Sequence, residues 1–223
     1  MREQTPRGTV GFNRRPVRAR ETRWAAALAR LLTGWGVSPN AISVTSVVLA
    51  AAAGAALAGT AHAETVASRT LLCLAVVAGV LLRLVCNLVD GMVAVEGGLG
   101  TKTGELFNEF PDRLSDIFVL VGAGYAAGPY GPPLGWAAAL LAVLTAYVRA
   151  LAGAAGVAQP FCGPMAKQQR MVVIAVACVL SVAEGSLTGT RAVMPVALGV
   201  VALGSAATIV RRLRRIAAEM RLR

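Results

Sequence analysis

Residues 81–116 read LLRLVCNLVDGMVAVEGGLGTKTGELFNEFPDRLSD. Two apolar runs meet here at a glycine-rich joint, and carboxylates and amides are set inside both. Six of the chain's 11 acids fall between positions 90 and 116: Asp90, Glu96, Glu105, Glu109, Asp112 and Asp116. On helices, Asn87 and Asp90 are i, i+3 neighbours at the end of the first run, and Asn108 and Asp112 are i, i+4 neighbours near the start of the second. Asp116 continues that face by one turn, and Glu105 and Glu109 flank it. The joint, GGLGTKTG, is short, so the two helices pack antiparallel with their oxygen-rich faces opposed. A carboxylate in the middle of a membrane helix costs about 2.5–3.5 kcal/mol on insertion scales, and acids in such places mark functional sites.

Outward from this stretch the chain is apolar. It has 223 residues, 56% hydrophobic and only 15% charged, with a mean hydropathy of +0.64. Its 22 Lys+Arg against 11 Asp+Glu leave a net charge of +11 and a pI near 10.9. Basicity alone would suit a nucleic-acid binder, but the apolar residues come in long blocks, which excludes that reading along with a disordered chain and an ordinary soluble enzyme. Six blocks, over 41–60, 70–95, 104–127, 134–155, 168–184 and 192–211, each supply the roughly 17–25 helical residues that span a bilayer. The fold class read here is an all-α integral membrane protein of six transmembrane helices. A short helix over 24–36, with Trp24, Leu28, Leu31, Leu32 and Trp35 on one face, precedes them and suits the membrane interface. Ser38-Pro39-Asn40 ends it. Residues 1–23, with seven arginines, read as a basic disordered tail, and 24–223 as one membrane domain. Ala61-His62-Ala63 resembles a signal-peptidase site, but an apolar core preceded by so long a leader is no signal peptide.

Charge sets the orientation. With the N-terminus in the cytoplasm, cytoplasmic segments hold 17 basic residues and the outer loops hold two, Arg69 and Arg191; Arg83, Arg113 and Arg149 lie within spans. This is a strong positive-inside bias, and it places both termini in the cytoplasm of a multi-pass protein of the inner cell membrane. The arginine-rich C-terminus, residues 211–223, reads either as a segment lying along anionic headgroups or as a plain stop-transfer signal. The acid cluster then faces the cytoplasm.

Hard oxygen ligands from two facing helices make a site for Mg²⁺ or Mn²⁺, and Gly91 and Gly104 leave room for a ligand beside the backbone. The alternative is structural: the same acids pairing with Arg83, Arg113 and Lys102 to hold the bundle together. Spacing leaves both open.

The run Asn87-x2-Asp90-Gly91-x2-Ala94-Val95-x8-Gly104-x3-Asn108-x3-Asp112 resembles the signature of the CDP-alcohol phosphatidyltransferases, D-x2-D-G-x2-A-R-x8-G-x3-D-x3-D. Every gap matches, and five of the eight fixed positions are identical. Pro39-Asn40-Ala41-Ile42-Ser43 is similar to the family's P-N-x-[IL]-[ST] start of the first span, and Tyr147-Val148-Arg149-Ala150 to its S-Y-x-[KR]-A-R segment, with Leu151 at the second basic position. The likeness covers nearly everything after residue 23. The departures are Asn87 and Asn108 where the family has Asp, and Val95 where it has Arg. Two amides in place of carboxylates keep the oxygen donors and remove two negative charges. Glu109, Asp116 and Glu105 stand beside the altered positions as compensating acids.

The resemblance implies transfer of a substituted phosphate from a CDP-linked donor, usually CDP-diacylglycerol, to an alcohol acceptor, with release of CMP. It implies Asp90 as a metal ligand, Asn87 and Asn108 as weaker amide ligands, and Asp112 as general base and further ligand. Gly91, Ala94 and Gly104 would admit the cytidine end. Arg149, Arg113, Lys167 and Arg170 would form a cationic pocket for an anionic acceptor or for donor phosphates. A homodimer in the lipid bilayer is implied as well. The competing reading is a non-catalytic homologue that binds lipid or nucleotide as a partner subunit. A small transporter is disfavoured, since no internal repeat is present and the acids sit at one face.

Overall fold

Pro39 sets the first turn of a helix, and the Ser38 hydroxyl accepts a hydrogen bond from the Ala41 N–H at 3.2 Å, satisfying one of the amides that a helix start leaves open. The structure, a computed structural model, describes residues 22–96, 104–187 and 190–222, without the side chains of Glu96, Glu105 and Ser186. Among these residues are seven α-helices and no strand: α1 (Arg23–Gly34), α2 (Pro39–Gly59), α3 (Val66–Glu96), α4 (Gly104–Ala126), α5 (Gly131–Ala154), α6 (Lys167–Leu187) and α7 (Val193–Arg221). The tail read over 1–23 lies outside the described residues but for Thr22 and Arg23, as does the joint with Lys102.

Five helices, α2, α3, α5, α6 and α7, are long and apolar enough to cross a membrane. Of the six spans expected, these five meet both criteria; α4, at 23 residues, has the length but not the composition. Glu109, Asp112, Arg113 and Asp116 all fall within its first 13 residues. It nevertheless runs the length of the bundle, because its later turns pack on α2 and α5 backbone to backbone. A Cβ at Gly122 would lie 2.2 Å from the Gly54 carbonyl oxygen, and one at Gly54 would lie 2.3 Å from that of Phe118. On the other side, a Cβ at Gly131 would meet the Gly124 carbonyl oxygen at 2.1 Å. Small residues at these crossings let helices approach closely where apolar burial gives no advantage over lipid. Around them Leu57, Val76, Val80, Val119, Leu120, Ile174 and Leu198 close the core.

Helix α1 rides on α3. Ala25 and Ala29, one turn apart, are buried against a group that includes Leu88, Val89, Met92 and Val93, while Trp24, Leu31 and Trp35 stay exposed. The arginine-rich C-terminus is helical up to Arg221. It continues α7 ten residues beyond the expected end at 211, and Arg212 and Ile216, spaced i, i+4, turn inward, with Ile216 on Val148, Ala152 and Val157.

The long helices alternate in direction. Ser43 early in α2, Asp90 late in α3, Asp112 early in α4, Arg149 late in α5, Lys167 at the start of α6 and Arg212 late in α7 all gather at one end of the bundle. The first long helix therefore begins, and the last ends, beside the acid cluster.

Candidate active site

The face of α3 that carries Arg83, Asn87 and Asp90, at i, i+4 and i+7, points into the bundle. Asp90 is buried. Its Oδ2 accepts a hydrogen bond from the Ser43 hydroxyl at 2.9 Å, and its Oδ1 accepts one from the Gly91 N–H at 2.6 Å. Ser43 was not singled out in the sequence, yet the signal was there: it is the final [ST] of the start-of-span pattern. Its hydroxyl ties α2 to the acid on α3. Asn87 is half-buried, and its Nδ2 has no hydrogen-bond partner.

Across from α3, α4 turns Asp112, Ser115 and Asp116 inward. The Lys167 ammonium pairs with Asp112 Oδ2, and Arg113 Nη2 lies 3.7 Å from the same oxygen. Asp112 Oδ1 has Arg83 Nη2 at 3.6 Å and no hydrogen bond. Asp116 is wholly buried between two guanidinia, with Arg83 Nη2 at 3.5 Å from Oδ1 and Arg170 Nη2 at 2.5 Å from Oδ2. Arg170 also donates to the Met165 carbonyl at 3.2 Å, so it is fixed inside the bundle. Both oxygens of Asp116 face cations. Glu109, half-buried, pairs with Arg149 and has Arg113 at 3.9 Å.

The structural alternative is therefore realised for Asp112, Asp116 and Glu109, with Arg83 and Arg113 as foreseen and with Arg149, Lys167 and Arg170 in addition. Asp90 is different, since its recorded partners are neutral donors. It lies within electrostatic reach of Asp112 and Lys167. Among the described residues no three acids, cysteines or histidines converge on one point. The hard oxygen donors that come nearest to this are the carboxylates of Asp90 and Asp112, the latter facing cations on both oxygens, while the unpartnered atom of Asn87 is its amide nitrogen. Asn108 is exposed one turn before Asp112. Gly91, Ala94 and Gly104 are all partly accessible at the site ends of α3 and α4. Glu105 lies there too, its side chain outside the described set.

Beyond Glu109 the Arg149 guanidinium lies 5.4 Å from the Phe161 ring centroid, a cation–π contact. Phe161 helps to line a cavity of about 310 Å³ with Gln159, Cys162 and Arg215. Arg212 Nε donates to the Cys162 carbonyl at 3.0 Å and so fixes one wall of that cavity to α7.

Arg83 has no exposed surface, and two buried carboxylates rely on it. Removing one partner of a buried ion pair leaves an uncompensated charge and costs about 3–5 kcal/mol. Arg83→Met is expected to lower stability by about 3 kcal/mol, since Arg170 still faces Asp116. Unfolding in detergent micelles by denaturant would measure it. A midpoint unchanged from that of the parent chain would mean that the pairs contribute nothing.

No protein-family profile and no curated protein matches the chain. Solved structures do. The crystal structure of Mycobacterium tuberculosis phosphatidylinositol phosphate synthase with CDP-DAG bound is 20% identical, covers 87% of this chain and 94% of its own, and superposes with a TM-score of 0.67. The same enzyme in complex with manganese and citrate is 21% identical over 86% of this chain and 88% of its own, with a TM-score of 0.66. Its apo form is 22% identical over 84% and 93%, with a TM-score of 0.63. Identity at this level speaks to architecture, and on architecture the chain has the all-helical fold of that membrane enzyme.

Proposed function

We propose that this chain is a membrane phosphotransferase. It moves a substituted phosphate, phosphatidyl in the simplest case, from a CDP-linked donor such as CDP-diacylglycerol to an alcohol acceptor and releases CMP, in phospholipid biosynthesis. One observation carries the reading. Asp90, Gly91, Ala94, Gly104 and Asp112, at the family spacing, lie on two helices that meet at one end of a fold shared with an enzyme crystallised with CDP-DAG.

Asp112 takes the proton of the acceptor hydroxyl, the new P–O bond forms, and the bond to the CMP oxygen breaks. Lys167, paired with Asp112 and 29% exposed, meets the developing negative charge. A divalent cation, Mg²⁺ or Mn²⁺, would be held by Asp90 and Asp112, with Asn87 and Asn108 as weaker amide ligands; when bound it would neutralise the diphosphate. The small residues Gly91, Ala94 and Gly104 leave space for the cytidine. Arg149 and Arg113, both partly exposed, flank the side facing the cavity and favour an anionic acceptor. Lys167 and Arg170 complete the cationic lining, Arg170 from within. The positive-inside bias puts this end of the bundle, and both chain ends, in the cytoplasm, where nucleotide-activated donors occur. The chain is read as six spans with α4 included, α1 in the interface, and a homodimer.

The second reading, a non-catalytic homologue that binds lipid or nucleotide, is favoured by the amides at 87 and 108 and by the cations already seated on Asp112. Radiolabelled CDP-diacylglycerol, a panel of alcohols and purified protein in detergent decide between them. CMP release is expected only with both Mg²⁺ or Mn²⁺ and an acceptor, and EDTA should abolish it. Binding of cytidine nucleotide without release under any condition would favour the second reading.

A further inference from the structure

The ion-paired acids of the cluster are not held alike. Asp112 and Asp116 are enclosed, their side chains 2% and 0% exposed. Glu109 is 38% exposed, yet it pairs with two cations of the site, Arg149 and Arg113, through the same oxygen, Oε2. Neither arginine depends on Glu109 to keep its place. Arg149 also lies over the Phe161 ring, and Arg113 Nη2 is 3.7 Å from Asp112 Oδ2. Arg113 Nε has no hydrogen-bond partner, so a donor is left for another oxygen. A half-exposed carboxylate thus lies across two anchored guanidinia, on the side of the cluster where Phe161 lines the cavity.

We infer that Glu109 sets the charge an acceptor must carry: in the empty site it occupies Arg149 and Arg113 in place of the acceptor's anionic group, and a phosphate monoester is the group that displaces it. This rests on the transferase reading for the identity of the acceptor. The physical ground is exchange. A carboxylate brings one negative charge and two oxygens. A phosphate monoester brings about 1.5–2 charges at neutral pH and three acceptor oxygens, which guanidinia bind in forked pairs. Phosphate therefore gains more from the two arginines than Glu109 gives up, and the displaced carboxylate, already half in solvent, turns to water. A neutral alcohol offers no such exchange, and a second carboxylate only matches the first. Asp116 could not act in this way, being enclosed between Arg83 and Arg170.

Equilibrium dialysis of the full chain in detergent against radiolabelled inorganic phosphate tests this without any turnover. Glu109→Gln should bind phosphate at least about tenfold more tightly than the parent chain, because the competing carboxylate is gone while both arginines keep their second anchor. The gain should vanish when Arg149→Gln is added. No gain in Glu109→Gln, or a gain that survives Arg149→Gln, would overturn the inference. CMP release from CDP-diacylglycerol is followed in the same samples, with alcohols and with their phosphate monoesters as acceptors. The ratio of kcat/KM for monoester over alcohol should rise at least about tenfold in Glu109→Gln, through the KM for the monoester. A fall in the KM for the CDP-linked donor instead would assign the arginines to the donor and sink the inference. Tighter phosphate with no CMP from any acceptor leaves the exchange at Arg149 standing and removes the transferase reading; CMP release with phosphate binding indifferent to Glu109 does the reverse.

Discussion

Asp112→Asn is expected to lower CMP release by roughly 10³-fold, the middle of the range for losing a general base. The substitution keeps the shape of a buried side chain and the neighbouring Asp116 clamp, so the bundle should remain folded. What it removes is specific. An amide cannot take the acceptor proton, and it no longer balances Lys167. The loss should appear in the maximal rate at saturating donor and metal, and raising Mn²⁺ should not restore it. Asp90→Asn is the contrast: its defect lies in metal binding, so higher Mn²⁺ should recover part of the rate. Should Asp112→Asn retain more than a tenth of the parent activity, the base lies elsewhere, and Glu109 is the next acid to alter.

Gly122→Leu is expected to abolish assembly of the bundle. Even a single carbon at this position would lie 2.2 Å from the Gly54 carbonyl oxygen, against backbone on an opposing helix that has no flexible end to yield. Overpacking a close-fitted interior by a few methylenes costs about 1–3 kcal/mol when side chains can shift. Here two helices must part instead, and the cost should exceed that range. Gly199→Leu is the matched control, since nothing lies within 4 Å of a Cβ there. Monodisperse yield and melting temperature in detergent should fall steeply for the first and stay near parent values for the second. Equal behaviour of the two would mean that α2 and α4 do not touch as described.

Much of this was readable in advance because membrane helices obey a blunt rule of length and apolarity. The boundaries of α2, α4 and α5 fall within three residues of those read from the apolar runs. Helix α7 ran longer because an apolar-run criterion stops at the first arginine pair, whereas Arg212 is buried and bonded to the Cys162 carbonyl. In the site, fixed spacing on two helices exposed Asp90 and Asp112. It could not apportion the acids between metal and arginine, since that depends on which cations distant helices deliver. Arg170 lies 54 residues from Asp116, and Lys167 lies 55 from Asp112. The pairing of Arg83 with the acids was legible from its place four residues before Asn87, but which carboxylates it meets was not. Ser43 was legible only as the last position of the start-of-span pattern, which does not say that its hydroxyl bonds to an acid on the next helix.

The composition of α4 bears on how the chain is made. A segment with Glu109, Asp112, Arg113 and Asp116 within its first 13 residues is a poor candidate for independent insertion, each such charge costing about 2.5–3.5 kcal/mol at mid-span. Synthesis delivers α3 first, so Arg83 is waiting when Asp112 and Asp116 emerge. The glycine crossing with α2 is available at the same moment. Lys167 and Arg170 come only with α6, after α5 has been threaded. On the six-span reading proposed above, the order of helices along the chain is also an order of neutralisation, and the last two counter-charges of α4 come from a helix not yet translated.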